Sequence, residues 1–310
     1  MTESFAADWL ALREPFDHAA RSKALARRLV ERLPKRPRLV DLGAGTGSMF
    51  RFLAPIIGRG QDWVLVDADA ALLDEAFGRT AAWARHQGFA ATAAGDELLL
   101  STPRGLWRMR GMQRGLTAPS SWPGLARPST SSFPPSSEDV DGRVKPGHDD
   151  GPRFEADAVV CSALLDLVSA TWLIQLCDTL TVPLLACLTV DGRDSWRPHH
   201  PLDILVRAAF RRDMQRNKGF GPALGTNAPR VLATRGLMTA SAPSDWRIPR
   251  SALRMQRALI DGIADAARTA HPAHAIAITT WQEARLRQAL RGRLAITIGH
   301  RDILALPPGG

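Results

Sequence analysis

The chain of 310 residues has no tyrosine, three cysteines and only four lysines, and each shortage removes a class of function. Cys161, Cys177 and Cys187 are odd in number, sit in apolar segments, form no CxxC pair and have no histidine at zinc-ligand spacing. A disulfide-stapled secreted domain and a structural zinc site are therefore not expected, and the thiols read as small buried hydrophobes in a reducing compartment. No apolar run approaches the ~18 residues needed to cross a bilayer. The N-terminus, MTESFAADWLALREPFDHAA, carries acids where a secretory leader is basic. The expectation is a cytoplasmic protein with no membrane partner and no metal. All but four of the 40 basic residues are arginine, and the net charge is +9. That skew fits a GC-rich coding sequence, and the charges are spread along the chain, so a polyanionic partner is less favoured than a small molecule.

What is present points to an α/β protein. At 45% hydrophobic, the chain suffices for one large domain or two small ones. Leu10, Phe16, Ala20, Leu25, Leu29 and Leu33 follow a helical spacing, with a break expected at Pro15 and a stop at Pro34 and Pro37. Short apolar runs then alternate with helical stretches: RLVDL (38–42), WVLVD (63–67), DAVVC (157–161) and PLLACLTV (183–190). Runs without polar alternation suit strands buried on both faces, and the intervening helices make parallel crossovers the economical topology, a doubly wound sheet. Helices are expected over 202–217, 251–268 and 281–290, and strands near 237–241 and over 293–300.

Residues 119–152 break the rhythm, with seven prolines and seven serines and neither helical nor strand period. They resemble a translated repetitive element of high-GC bacterial genomes and read as a disordered insertion without a role in the chemistry.

The stretch VDLGAGTGS places Gly43, Gly45 and Gly47 at alternate positions after an apolar strand. A dinucleotide fingerprint needs G-x-G-x-x-G, and its third position here is Ser48. Asp41 at the strand end would repel a pyrophosphate and favour a cationic ligand. The alternative is an ordinary strand-turn-helix with a solvent-facing acid.

The run from Asp41 to Ser48 resembles the first motif of the class I S-adenosylmethionine-dependent methyltransferases. The resemblance covers residues 38–90 well, 154–193 by order of elements and the last third only in outline. It implies a Rossmann-like, mostly parallel seven-stranded sheet closed by an antiparallel last strand at 293–300. It also implies a helical lid over residues 1–34 and a methyltransferase domain over 35–310. S-adenosyl-L-methionine is the implied cofactor, held by Asp41, Gly43, Ala44, Gly45, Gly47, Ser48, Asp67, Ala68 and Cys161. Asp67, 20 residues after Gly47, matches the acid that holds the ribose hydroxyls, and Ala68 is small enough to let adenine lie flat. The family often has an acid after its third strand for the adenine amino group; this chain reads RGMQRGLTA there, and Asp96 falls early.

For the chemistry, Asp166 is the ionisable group beside the fourth strand and His200 has a suitable pKa for a base. For Asp166, a charge at the N-terminus of the following helix is the alternative. Lys218, Gly219 and Phe220 are candidates for acceptor binding, with a solvated helix end as the alternative. The expected activity is methyl transfer to a small molecule. RNA, or a scaffold that has lost catalysis because the insertion disturbs the adenine side, are the alternatives.

Overall fold

The computed structural model describes residues 7–115, 156–217 and 227–307. Its helices and strands follow in the order α1 Ala7–Ala20, α2 Lys23–Val30, β1 Arg38–Leu42, α3 Ser48–Ile57, β2 Gln61–Asp67, α4 Ala70–His86, β3 Ala90–Ala94, β4 Glu97–Thr102 and β5 Gly105–Gln113. After residues 116–155 come β6 Ala158–Ser162, α5 Ala170–Thr179, β7 Leu184–Arg197, α6 Asp203–Met214, α7 Ala228–Thr234, β8 Met238–Pro243, β9 Trp246–Ile248, α8 Leu253–Ala270, α9 Ala275–Leu290 and β10 Ala295–Leu306.

The strands form one mixed sheet in the order β3-β4-β5-β2-β1-β6-β7-β10-β8, with β9 also on β10. β5, β2, β1, β6 and β7 are mutually parallel. Their apolar side chains alternate between two clusters, one packed under α2, α3, α4, α8 and α9, the other under α5 and α7. Helices on both faces of a parallel core make the sheet doubly wound, as expected.

The seven expected strands are a subset of the ten described. The additions are the hairpin β3–β4, which extends the β5 edge antiparallel, and the short β9. The last strand is antiparallel to β7, as expected, but runs to Leu306. β7 likewise runs beyond the apolar run that ends at Val190, to Arg197, because β10 continues to pair with it past the parallel sheet. This two-stranded arm carries α6, α8 and α9. Its core joins Trp196 edge-on to Trp281, and the fully buried Arg285 pairs with Asp203.

The N-terminal helix does not break at Pro15, which lies on the exposed side of α1 where a lost backbone bond is replaced by water. The break falls at Arg21–Ser22, where the Ser22 hydroxyl accepts from Leu25 N–H and caps α2. Asp302 on β10 holds that junction: its carboxylate accepts from Ser22 N–H at 2.6 Å and from Leu188 N–H at 2.8 Å. Residues 119–152 and Lys218, Gly219 and Phe220 lie outside the described residues.

Candidate active site

Because β1, β2 and β6 are parallel, the ends that carry Leu42, Asp67 and Ser162 share one edge of the sheet. A cavity of about 530 Å³ opens there, roofed by α1. Such a volume is within the range of small-molecule and cofactor sites.

Its floor is the glycine turn. Gly43, Gly45 and Gly47 have φ of +63°, +52° and +79°, values that side-chain-bearing residues rarely adopt. The turn is sewn to β2: the Gly43 and Ala44 amides donate to the Val66 carbonyl at 2.9 and 3.1 Å, and the Gly45 amide donates to Asp67 Oδ2 at 2.8 Å. A Cβ on Gly45 would come within 3.2 Å of Leu10 on α1, so the roof rests on bare backbone.

Two buried ionisable side chains, Asp41 and Arg21, line the deep end. Asp41 is 1% exposed, lines the cavity and has no hydrogen-bond partner for Oδ2 among the described residues. Burial pushes its carboxyl up to about 8, against the pull of Arg21 and with a further push from Asp67. Arg21 is equally buried and is held in place: Nη1 donates to the Ser48 carbonyl and hydroxyl at 3.2 and 3.1 Å, and Nη2 to Ser162 Oγ at 2.8 Å. Its guanidinium lies over the Phe52 ring, and Nε has no hydrogen-bond partner among the described residues.

Asp67, at the neighbouring strand end, is half-buried, and burial raises its pKa against the opposing backbone N–H groups of Asp69, Gly45 and Ala68. Next to it the small residues Ala68, Ala70 and Ala71 form an open wall, and Gln113 at the end of β5 stands in register with Asp67 and also lines the cavity.

Of the residues singled out from the sequence, Asp41, Gly43, Ala44, Gly45, Ser48, Asp67 and Ala68 line this one cavity. Gly47 stands behind it as the cap of α3, packed against Ala76 and Arg51. Cys161 is not in the lining. It alternates to the opposite face of β6 and is buried in the cluster under α5, where desolvation pushes its thiol far up, and its neighbour Ser162 takes the wall position.

Asp166 is not in the lining either. It is buried in the β6–α5 connection, whose cavity-facing residues are Ala163, Leu164 and Leu167. His200 lies beyond the far end of β7. There its backbone N–H donates to Asp203 at 3.0 Å and its Nδ1 accepts from Leu202 N–H at 3.2 Å, an arrangement that starts α6. Asp96 is in the β3–β4 turn.

A helical lid is what the resemblance implies for this segment, but sequence reasoning singled out none of the residues that line the cavity from it. Leu10, Arg13, Asp17 and Arg21 all line the cavity, and their spacing of three, four and four residues is one stripe of a helix. Of these only Leu10 belongs to the apolar spacing, so the charged positions three, seven and eleven residues after it were the available signal.

No family model matches the chain. A stretch of 35 residues is 69% identical to an error-prone DNA polymerase of Rhodopseudomonas palustris (strain HaA2). One of 49 residues is 47% identical to that of strain BisA53. These matches span 11% and 16% of this chain and only 3% and 4% of the polymerases. Among solved structures, the chain is similar to geranyl diphosphate C-methyltransferase from Streptomyces coelicolor, with 13% identity over 91% of this chain and 79% of that one and a TM-score of 0.40. It is similar also to a cyclopropane synthase from Mycobacterium tuberculosis, with 12% identity over 97% and 94% and a TM-score of 0.41. At such identity and overlap the likeness is one of chain path.

Proposed function

We propose that the chain is an S-adenosylmethionine-dependent methyltransferase acting on a small-molecule acceptor. The observation that carries this reading is the buried pair at the deep end of the cavity, Asp41 with an oxygen and Arg21 with an Nε that have no hydrogen-bond partner among the described residues. A buried polar atom without a partner is costly, and the two together complement the ammonium and carboxylate of an amino-acid group. The pyrophosphate of a dinucleotide has no donor to offer the open Asp41 oxygen, which disfavours a nicotinamide oxidoreductase.

In this reading the glycine turn admits the cofactor's backbone-hugging portion, Asp67 accepts from the ribose hydroxyls, and Ala68, Ala70 and Ala71 leave room for adenine. Gln113 presents an amide oxygen to the adenine amino group where relatives of the motif often have an acid. When bound, the cofactor would supply an electrophilic sulfonium methyl to a lone pair of the acceptor. The chain contributes orientation and exclusion of water: Ala163, Leu164 and Leu167 form an apolar wall, and Arg21 pins Ser162. Asp166 and His200 do not touch the cavity, so the proposed transfer rests on alignment of the acceptor and not on a dedicated base.

Calorimetric titration with S-adenosylhomocysteine, with NAD as comparator, tests the reading. Tighter binding of NAD overturns it. Asp67→Ala is expected to weaken S-adenosylhomocysteine by about tenfold, the scale of one charge-assisted hydrogen bond. Unchanged affinity removes the ribose assignment. The rival is a methyltransferase-shaped binding protein that has lost catalysis because the segment 119–152 disturbs the adenine side. Cofactor binding with no methyl release on any metabolite pool would select it, and methylated RNA among the products would select the RNA reading.

A further inference from the structure

Arg13 is the second cation of the cavity, and its surroundings differ from those of Arg21. It lines the cavity from α1, with its side chain 11% exposed. Its Nε alone is engaged, donating to Asp17 Oδ2 at 3.0 Å and Oδ1 at 3.3 Å. Among the described residues, neither Nη group has a hydrogen-bond partner. The guanidinium lies over the Trp246 ring, 4.9 Å from its centroid, and the Trp246 indole donates to the same Asp17 at 2.9 Å. Asp17 is thus already satisfied on both sides, and Arg13 is pinned by Nε and by the ring while its outer fork of N–H groups remains open. A planar fork held this way matches two oxygens of one anionic group.

Position separates this fork from the cofactor's amino-acid end. Arg13 and Arg21 are eight residues apart on the same helical stripe, about 12 Å along the axis at 1.5 Å per residue. Arg21 faces Ser48 and Ser162 at the strand ends, whereas Arg13 faces β9 of the arm, away from β1 and β2. The groups around Arg13 do not compete for it: His300, 4.6 Å from Trp246, is buried and held neutral by desolvation, and Asp17 is already paired.

We infer that the methyl acceptor carries an anionic oxygen group, a carboxylate or a phosphate, and that Arg13 receives it. The inference rests on the methyltransferase reading for the word acceptor, but the anion site stands on the geometry of Arg13, Asp17 and Trp246.

The test follows the Trp246 indole N–H resonance, assigned by its loss in Trp246→Phe, during titration with sodium acetate and with inorganic phosphate. The protein is first saturated with S-adenosylhomocysteine so that Arg21 is covered. Either anion is expected to shift the resonance saturably. Arg13→Gln is expected to weaken the response at least tenfold, and Arg13→Lys, which keeps the charge beside Asp17 but not the fork, by a lesser factor. Saturation by acetate alone assigns a carboxylate acceptor and by phosphate alone a phosphate.

No saturable shift with either anion, or an unchanged dissociation constant in Arg13→Gln, overturns the inference. A readout on the unmutated chain guards against variants that fail to fold: phenylglyoxal modification of Arg13, followed by peptide mass spectrometry, should be slowed severalfold by the binding anion, and an unslowed rate counts against the site. If S-adenosylhomocysteine does not bind, the cofactor reading fails, and the same titration on the ligand-free protein still judges Arg13, because Trp246 lies beside Arg13 and not beside Arg21.

Discussion

Asp41 shows how one side chain trades stability for binding. Its carboxyl is raised to about 8, chiefly by burial, so the folded state holds a proton there that the unfolded chain releases near pH 4. A raised acid costs stability as pH climbs from the unfolded value through the folded one. Asp41→Asn is therefore expected to raise the urea midpoint at pH 8 relative to the unmutated protein while abolishing S-adenosylhomocysteine binding. An unaltered midpoint would remove the burial argument. An ammonium beside Asp41 favours its ionised form, so cofactor affinity should rise from pH 6 to 8 with proton release, visible as a dependence of the calorimetric heat on buffer. His300 titrates in the opposite sense. Burial lowers its pKa to about 4, so its contribution is complete above the unfolded value near 6.5 and fades as pH falls from 6.5 toward 4. The loss reaches on the order of 2 kcal/mol by pH 5. Denaturant unfolding at pH 7 and pH 5 should show that difference, and His300→Phe should shrink it.

At the level of the element, α1 is attached to the site by a buried ion pair. Arg51 on α3 grips Glu14 with Nε and Nη2, each at 2.7 Å, while Nη1 donates to the Thr46 carbonyl and to Thr80. Burial pushes the Glu14 carboxyl up, but the Arg51 contacts prevail and hold it below its usual range. Arg51→Ala strands a buried carboxylate and is expected to cost about 3 kcal/mol. Amide exchange over Ala7–Ala20 should accelerate more than over α8. Equal acceleration in both helices would mean that α1 is not anchored through this pair. The presence of a helix here was legible in Leu10, Phe16 and Ala20. The resemblance implied a lid there, but the residues that line the cavity were not legible, because the helix presents apolar Leu10 and three charged residues to it, and burial of charge cannot be inferred from periodicity.

For the molecule as a whole, connectivity limits what residues 119–152 can be. β5 and β6 are parallel and separated by β2 and β1, so the chain leaving Gln113 at the cavity edge must cross a sheet face to begin at Ala158 on the other edge. Three strand spacings alone take about 14 Å. Removal of 119–152 leaves about ten residues to make the crossing, with a reach of at most about 35 Å. Parallel crossovers ordinarily use about a dozen or more. Deletion of 123–148, which leaves about eighteen, is expected to keep the melting temperature and the S-adenosylhomocysteine affinity close to those of the full chain, whereas the longer deletion should lower both. Unfolding by the shorter deletion would show that the insertion is part of the fold.

Local residues sufficed for the parallel strands, the glycine turn and the pairing of Asp41 with Asp67 at adjacent strand ends. Those features depend on contiguous apolar runs and on backbone angles that glycine alone adopts readily. They did not suffice for Arg13, Arg21, Ser162 and Gln113, which come from the N-terminal helix, the junction that follows it and two separate strands and meet only once the sheet order is set. Nor did they suffice to exclude Cys161, whose face depends on strand register, or His200, carried beyond the cavity by the continued pairing of β7 with β10. Spacing along the chain dictates what each segment becomes; which side chains share a buried space depends on long-range packing, where a polar residue gains or loses partners that no neighbour in sequence supplies.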